Sequence, residues 1–318
     1  MTKTVLVTDS LFIFDEHVEQ LKAADIEIAR LDTPEATEDE LIEAVKGRHG
    51  YILGGIEKVT DNVIAAADVL EAVCFTGADY QYFVPGTDAA TKRGIAVTNC
   101  PGANANAVAE YAFTLMLVMV REVFDLGRSG DKDFKTTNSL IDLNVSLVGM
   151  GHIGERVARM LKGFGVKNVS YYNRTRKPQL EQELSINYLP LDELLKNCDL
   201  VSLHTSKAAG EHYFGKEQLA LMKDGSVLIN TSFETAIDFN ALYDELVSGR
   251  IHAAHDGTVD EPRYKELPLG VWYNSKHTAF NTHEANKKAS DIATQSIINL
   301  LTQGNDELVV NSEFKDYR

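Results

Sequence analysis

Hydrophobic and polar positions follow two periodicities that alternate along the chain. Nearly continuous apolar runs are typical of strands buried on both faces, and an apolar residue at every third or fourth position is typical of an amphipathic helix. The strands predicted in this way lie at 4–8, 26–31, 51–53, 72–75, 95–98, 145–148, 169–172, 200–203, 227–230, 251–254 and 271–273. Strands that alternate with helices predict an α/β fold with parallel sheets.

Predicted helices separate these strands. They lie at 17–24, 37–46, 63–67, 104–126, 191–195, 216–222, 239–248 and 284–301. The helix at 104–126 is unusual because its central run, 107–120, is apolar nearly all round. A helix without a polar face is buried, so this one is predicted to lie between domains or between subunits.

A glycine motif follows the strand at 145–148. The next six residues read G-M-G-H-I-G and lead into a helical pattern, which is the strand-turn-helix context of a dinucleotide site. Gly149 allows the tight turn, Gly151 lets the backbone approach a pyrophosphate, and Gly154 lets helix and strand pack closely. The free N–H groups and the positive dipole end of the helix favour the phosphates. The cofactor-binding residues predicted from this motif are Gly149, Gly151, His152, Ile153 and Gly154.

In such sites, the residue at the end of the next strand contacts the ribose of the cofactor. NAD sites usually place Asp or Glu there to bind the 2′-hydroxyl, whereas this chain has the uncharged Asn173 followed by Arg174, Thr175 and Arg176. A carboxylate would repel a 2′-phosphate, and a guanidinium fork binds it bidentately. The sequence therefore predicts NADP(H) as the preferred cofactor, with NAD(H) as the alternative.

Length and charge narrow the class of protein. The chain has 318 residues, enough for two domains. Its net charge of −16 disfavours nonspecific binding to nucleic acid or to an anionic membrane. The three cysteines are widely spaced, without a metal motif, as expected in a reducing compartment. The N-terminus begins with a strand rather than a signal peptide, and no apolar run approaches the roughly 20 residues of a membrane span, so a cytoplasmic location is expected.

The order of segments resembles the D-isomer-specific 2-hydroxyacid dehydrogenase family over nearly the whole chain. The segments that carry the resemblance are 92–99, 101–102, Asn104, 107–110, the glycine motif, 199–204, 229–231, Asp256, 261–262 and 277–279. The resemblance implies two doubly wound parallel-sheet domains, with a Rossmann-type cofactor domain (101–283) inserted in a flavodoxin-like substrate domain (1–100 and 284–318). It also implies that the long helix links the domains and builds a homodimer.

The chemistry implied by the resemblance is hydride transfer between a nicotinamide and the second carbon of a keto or hydroxy acid. His277 matches the general acid/base and Glu261 matches its partner carboxylate. A carboxylate beside an imidazole favours the protonated form and orients the ring. The matched segments add further cofactor residues, which are His204, Thr205, Thr231, Ser232 and Asp256. No metal ligand is expected.

One departure concerns the family arginine that binds the substrate carboxylate. The family run is Asn-Thr-Ala-Arg-Gly, and here Phe233 stands in place of the arginine and Glu234 in place of the glycine. Another cation, either Lys276 or Arg263, takes over its role, or the substrate lacks a carboxylate and packs on Phe233. The remaining alternatives are that hydride chemistry is lost, or that Phe233 is an ordinary packing residue on a shifted loop.

The substrate loop is expected directly after the strand at 51–53. Gly54, Gly55 and Ile56 there form either an anion-binding nest of backbone N–H groups or an ordinary strand-end turn, and Glu57 argues against a second strong anion. In the aromatic run 80–83, Tyr80 is predicted to line the substrate pocket.

Two functions follow from this pattern. The first is an NADPH-dependent reductase of a small carbonyl compound, with a 2-keto acid about evenly weighed against another carbonyl or an imine. The second is a non-catalytic NADP(H)-binding protein, which would have no need of both His277 and Glu261. No motif supports a hydrolytic, metal-dependent or nucleic-acid role.

Overall fold

Two units, each built on its own parallel sheet, make up the chain. The computed structural model describes residues 2–8, 13–33, 35–128, 135–206, 210, 213–276 and 278–318. One unit is Met1–Asn104 with Thr282–Arg318, and the other is Ala105–Asn281.

The first unit contains a five-stranded sheet in the order β2-β1-β3-β4-β5, parallel throughout. Its strands are β1 (Lys3–Thr8), β2 (Ile26–Leu31), β3 (Gly50–Leu53), β4 (Ala72–Phe75) and β5 (Ala96–Asn99). Its helices are α1 (Asp15–Ala23), α2 (Glu38–Ala44), α3 (Asp61–Ala66), α4 (Tyr80–Phe83), α5 (Thr87–Lys92) and, near the end of the chain, α13 (His283–Gln303).

Both faces of this sheet are buried, which explains the continuous apolar runs in its strands. Side chains alternate between the faces, so Val5 and Val7 join one core cluster and Leu6 joins the other. The strand order reverses between β1 and β3. Loops that follow these two strands therefore diverge, and this is where ligands bind in open α/β sheets.

The second unit contains a seven-stranded sheet in the order β12-β11-β10-β9-β6-β7-β8, also parallel. Its strands are β6 (Asn144–Val148), β7 (Asn168–Tyr172), β8 (Asn187–Tyr188), β9 (Leu200–Leu203), β10 (Ser226–Asn230), β11 (Ile251–Asp256) and β12 (Trp272–Ser275). Its helices are α6 (Ala105–Val120), α7 (Val123–Arg128), α8 (His152–Phe164), α9 (Pro178–Leu184), α10 (Leu191–Asn197), α11 (Lys216–Leu221) and α12 (Phe239–Val247).

The predicted helix at 104–126 is divided in the structure. Helix α6 ends at Val120 and α7 starts at Val123, because Glu122 between them adopts a left-handed backbone with φ of 49°. A non-glycine residue in that region ends a helix. The expectation of one continuous helix is wrong on this point.

The predicted fold class, α/β with two parallel sheets, is confirmed. The edge strand β8 was not predicted, since two residues are too short to show a periodicity. Among the described residues, the structure contains no helix with the length and apolar character needed to cross a membrane.

Candidate active site

The carboxyl edge of the seven-stranded sheet brings most of the predicted cofactor residues together. The order of this sheet reverses around β6, whose neighbours are β9 and β7. Ligands of open α/β sheets bind at such a reversal. The loops that leave these three strands carry the glycine motif, His204 with Thr205, and the segment from Asn173 to Arg176.

The glycine turn after β6 leaves no room for side chains at two of its three glycines. Gly149 has φ of +101°, and a Cβ there would lie 2.2 Å from the carbonyl oxygen of His204. A Cβ at Gly154 would lie 2.1 Å from the carbonyl oxygen of Gly149. Gly151, which precedes α8, has nothing within 4 Å of its Cβ position. The start of α8 is therefore open on the side of Gly151, where the backbone can approach an anion.

Asn173, at the end of β7, is tied to the glycine turn. Its Oδ1 accepts a hydrogen bond from Met150 N at 3.0 Å, and its Nδ2 donates to Thr175 O at 2.8 Å. A neutral amide thus occupies the position from which a carboxylate would read a ribose 2′-hydroxyl. Arg174 is exposed and, within the described residues, makes no hydrogen bond or ion pair.

Arg176 has a partner inside the unit. Its guanidinium binds the Glu181 carboxylate in a fork, with Nε–Oε1 at 2.8 Å and a terminal nitrogen at 2.6 Å from Oε2. Tyr171 Oη also donates to Glu181, and the guanidinium lies 5.6 Å from the ring centroid of Tyr188. Hydrogen bonding to Arg176 lowers the pKa of the Glu181 carboxyl. Of the two arginines, Arg174 is therefore the more available for a ligand.

The loops after β9 and β10 are cross-linked. The Ser232 hydroxyl donates to Leu203 O at 2.9 Å and accepts from Thr205 N at 2.9 Å. The Thr231 hydroxyl lies 3.4 Å from Nδ1 of His204. These contacts fix the loop beside the glycine turn, and they leave the Ser232 hydroxyl with its donor already used.

His204 is held neutral. Burial lowers the pKa of its imidazole to about 3. Its Nε2 is buried and finds no hydrogen-bond partner among the described residues, although other parts of the residue are partly exposed. A neutral imidazole with an unused nitrogen beside the glycine turn is compatible with a polar ligand. Together with the open start of α8, it fits a bound dinucleotide.

Asp256 lies at the end of β11 and anchors the segment expected to carry the proton donor. Its buried carboxylate accepts hydrogen bonds from Ser275 Oγ at 2.5 Å, Thr278 N at 2.8 Å and Ala279 N at 2.9 Å. These donors lie on both sides of His277, which itself lies outside the described residues. The carboxylate thus fixes the two ends of this segment, a role that the sequence did not predict.

Glu261 is half-exposed and forms an ion pair. Its Oε2 accepts from Arg263 Nε at 2.6 Å. The Arg263 guanidinium also lies 4.4 Å from the ring centroid of Tyr243 and donates to Asn240. Because Arg263 is engaged in these contacts, its expected role as the replacement cation for a substrate carboxylate is not favoured. Lys276 is exposed and has no ion pair in the described part of the chain.

The loop after β10 has a defined shape. Asn230 accepts from Ser232 N at 2.9 Å and donates to Phe233 O at 3.3 Å, and Phe233 itself is half-buried. A groove of about 390 Å³ lies beside this loop. Its lining includes four carboxylates, those of Glu234, Asp238, Asp260 and Glu261. Phe233 therefore precedes an acidic surface, where the family pattern would have placed a cation.

The predicted substrate loop lies at the carboxyl edge of the five-stranded sheet. Gly54 N donates to Thr8 Oγ1 at 3.4 Å, and the carboxylate of Glu57 fills the space beside Gly55. This arrangement favours the ordinary strand-end turn over the anion nest, because the N–H of Gly54 is used and the Glu57 carboxylate lies beside Gly55. Ile56 is 60% exposed.

Tyr80, at the start of α4, is partly buried and packs against the core of the five-stranded unit. Its predicted place in a substrate pocket stays a prediction.

Sequence reasoning gave no site role to several residues that shape these sites. Glu181 binds Arg176, Asn230 accepts a hydrogen bond from Ser232, and Tyr51 donates to Glu57. For Glu181 a signal existed, since an acidic residue five positions after Arg176 lies in the next helix. The contacts of Tyr51 depend on tertiary structure and have no local signal.

Comparisons with known proteins agree with this architecture. Residues 113–285 match the family model of the D-isomer specific 2-hydroxyacid dehydrogenase NAD binding domain. The chain is 34% identical to a glyoxylate reductase from Thermococcus litoralis, over 81% of this chain and 82% of that protein. It is 32% identical to a hydroxypyruvate reductase from Thermotoga maritima, over 79% of this chain and 84% of that protein. Among solved structures, an acyclic imino acid reductase in complex with NADPH and D-arginine is similar, with 25% identity, a TM-score of 0.82, and coverage of 97% of this chain and 99% of that one.

The fold and the glycine-turn site define an oxidoreductase with an NAD(P)-binding Rossmann domain. The chain belongs to the D-isomer specific 2-hydroxyacid dehydrogenase family.

Proposed function

We propose that the protein is an NADPH-dependent reductase of the carbonyl group of a small substrate, with a 2-oxo acid as the first candidate. The single observation that carries the cofactor preference is the end of β7. There the neutral Asn173 is fixed by two hydrogen bonds, and the exposed Arg174 is uncommitted within the described residues. A guanidinium in that place attracts a 2′-phosphate, and no carboxylate of residues 173–176 repels it.

The residues of the chain have the following roles in this proposal. The bound nicotinamide supplies the hydride. His277 donates a proton to the carbonyl oxygen, and Glu261 favours the protonated imidazole. Asp256 holds residues on both sides of His277, through the backbone N of Thr278 and the side-chain Oγ of Ser275.

The substrate class is supported by the relatives, two of which are a glyoxylate reductase and a hydroxypyruvate reductase. With Phe233 in place of the family arginine and Arg263 paired with Glu261, Lys276 is the remaining candidate to hold a carboxylate. We assign cofactor binding to the seven-stranded unit and the substrate loop at 54–56 to the five-stranded unit. A homodimer and a cytoplasmic location remain predictions from the family resemblance.

Reduction of an imine is a second candidate. The specific observation in its favour is the acidic groove beside Phe233, with Glu234 in the place of the family glycine. Such a surface favours a cationic substrate over an anionic one. The similarity to an imino acid reductase that binds NADPH and D-arginine supports this candidate.

The test is turnover of the purified protein with NADPH and with NADH. Glyoxylate, hydroxypyruvate, a set of aldehydes and ketones, and 2-oxo acids mixed with ammonia are offered in turn, and oxidation of the cofactor is followed by absorbance. We expect kcat/KM to be at least tenfold higher with NADPH. A preference for NADH would overturn the assignment of the cofactor.

The variant His277→Ala separates an enzyme from a cofactor-binding protein. We expect it to lose turnover by a factor of about 10² or more while NADPH binding, measured by fluorescence, stays within twofold. His283→Ala, a change of an exposed histidine at the start of α13, is the matched control and keeps full turnover. Clear NADPH binding without turnover of any substrate would favour the non-catalytic alternative.

A further inference from the structure

A glutamate at the carboxyl edge of the five-stranded sheet is buried without a full set of partners. Glu57 follows β3, beside the reversal of strand order between β1 and β3. Only 5% of its surface is exposed, although Ile56 and Lys58 on either side are exposed. Because ligands of open α/β sheets bind at this position, the burial of a carboxylate there needs an explanation.

Glu57 is the final acceptor in a series of three hydrogen bonds. Gly54 N donates to Thr8 Oγ1 at 3.4 Å, Thr8 Oγ1 lies 3.2 Å from Tyr51 Oη, and Tyr51 Oη donates to Glu57 Oε1 at 3.3 Å. Burial and the charge of Glu57 raise the pKa of the Tyr51 phenol well above its ordinary value, so the phenol remains a neutral donor. Every donor in this chain points toward the carboxylate.

The second oxygen of this carboxylate has no donor. Glu57 Oε2 is buried and, among the residues that the structure describes, makes no hydrogen bond. It lies 2.1 Å from the position that a Cβ of Gly55 would occupy. A buried carboxylate is costly unless a cation or a set of donors pairs with it, and one long bond from Tyr51 does not supply that.

The neighbouring basic residue is engaged elsewhere. The ammonium of Lys58 lies 4.1 Å from the ring centroid of Tyr82, over its face. In the loop between the adjacent strand β4 and α4, Asp79 Oδ2 is a second buried carboxylate oxygen without a partner in the described part of the chain. Among the described residues, the loops after two adjacent strands thus carry two buried carboxylate oxygens that no donor or cation satisfies.

We propose that Glu57 is a specificity-determining residue that binds a cationic group of the substrate, either an ammonium or a guanidinium. Gly55 makes room for the carboxylate, and the exposed Ile56 offers an apolar contact for the aliphatic part of the same substrate. The inference rests on the proposed reductase function. It deepens that function by assigning a positive charge to the substrate.

An independent feature of the seven-stranded unit agrees with this charge. The family arginine is replaced by Phe233, and Glu234 follows it at the acidic groove. Loss of a cation on one loop and a buried carboxylate on another both change the preferred substrate charge from negative to positive. The two features lie in different units of the chain, so they are independent observations.

The experiment measures charge preference in the variant Glu57→Gln. The substrates are the 2-oxo acids derived from arginine, from norleucine and from glutamate, which carry a guanidinium, no charge and a carboxylate on the side chain. For the unmodified protein we expect the guanidinium substrate to exceed the uncharged one in kcat/KM by tenfold or more. Glu57→Gln should lower that ratio at least tenfold and leave the uncharged substrate within about twofold, a tenfold loss corresponding to about 1.4 kcal/mol.

Two further variants guard against a simple folding defect. Glu27→Gln removes the same charge from an exposed position on β2 and should keep the ratio. Gly55→Ala places a methyl group against the flexible end of Glu57, so it should displace the carboxylate and lower the ratio without unfolding the unit. Circular dichroism melting of each variant shows whether the fold is kept.

A binding measurement separates failure of this inference from failure of the proposed function. Calorimetric titration of the NADP⁺ complex with D-arginine and with D-norleucine needs no turnover. Tighter binding of D-arginine that is lost in Glu57→Gln would support the cation site even if no oxo acid is reduced. An unchanged preference in Glu57→Gln, in turnover or in binding, would overturn the inference and leave the reductase assignment standing.

Discussion

The carboxyl edges of the two sheets both lie at a reversal of strand order, but the side chains on their loops differ in charge. At the edge of the seven-stranded sheet, Gly151 opens the start of α8, and the side chains next to it, Asn173 and the neutral His204, carry no negative charge. At the edge of the five-stranded sheet, a chain of donors ends on the buried carboxylate of Glu57. A strand-end loop is therefore a general binding position, and its side chains decide which charge it accepts.

The largest effect is expected from breaking the glycine turn. In Gly154→Ala the new Cβ would lie 2.1 Å from the backbone oxygen of Gly149, and because that atom belongs to the backbone, no side-chain rotation relieves the clash. We expect a loss of stability of about 1–3 kcal/mol together with at least a hundredfold weaker binding of NADPH. Thermal unfolding and fluorescence titration measure the two effects.

Gly163→Ala is the control on the same helix. Nothing lies within 4 Å of its Cβ position, so the substitution should raise stability by up to about 1 kcal/mol and leave NADPH affinity unchanged. If Gly154→Ala bound NADPH as tightly as the unmodified protein, the close approach of helix and strand would not be needed for the site.

The second prediction restores a cation on the loop after β10. Phe233→Arg returns the residue of the family pattern, and a charge-assisted hydrogen bond to a carboxylate contributes about 1.5–3 kcal/mol. We therefore expect kcat/KM for glyoxylate to rise by about tenfold to a hundredfold. Phe233→Leu, which keeps an apolar side chain, should not produce this rise.

The same variant sharpens the comparison of charges. An added guanidinium should repel a cationic substrate, so Phe233→Arg is expected to lower kcat/KM for the arginine-derived 2-oxo acid. Equal gains for anionic and cationic substrates would mean that the loop after β10 does not read charge.

The pattern of apolar residues predicted the fold well because every strand except β8 is long enough to show its burial. Strands such as β9 and β4 match the predicted bounds in full, since β4 is a continuous apolar run and β9 is interrupted only by Ser202. The two-residue β8 and the break at Glu122 were missed. Both features depend on one or two residues and their surroundings, whereas a periodicity is visible only over a longer segment.

The candidate site was predictable only where backbone geometry defines it. Gly149 and Gly154 follow from a motif whose spacing reflects contacts within one strand-turn-helix unit. The roles of Arg176, Asp256 and Glu57 depend on partners that arrive from other elements: Glu181, the segment after β12, and Tyr51. A sequence pattern shows the residue types, but it does not show which charged side chains are paired with each other in the folded protein.

The third prediction separates the two arginines after β7. Arg174→Ala should raise the KM for NADPH about tenfold and leave the KM for NADH unchanged, because only NADPH offers a charge-assisted contact to this guanidinium. Arg176→Ala should change the KM for NADPH by about threefold or less, since that guanidinium is bound to Glu181. A larger effect of Arg176→Ala would mean that the fork with Glu181 opens when the cofactor binds.

The smallest effect concerns the pH dependence of stability at the cofactor edge. Burial lowers the pKa of His204 from 6.5 to about 3 in the folded protein. As pH falls below 6.5, the unfolded chain takes up a proton that the folded protein does not, so folding loses stability until the pH approaches 3. The slope from this one group is at most about 1.4 kcal/mol per pH unit.

His204→Gln removes this proton while keeping a neutral polar side chain. Urea unfolding at pH values of about 7 and about 5 should therefore show a smaller difference in the variant than in the unmodified protein. His283→Gln, a change of an exposed histidine in α13, should keep the full difference. An unchanged difference in His204→Gln would mean that this imidazole is hydrated in the folded state. In that case burial would not keep His204 neutral, and the contrast in charge between the two sheet edges would hold only while its imidazole is unprotonated.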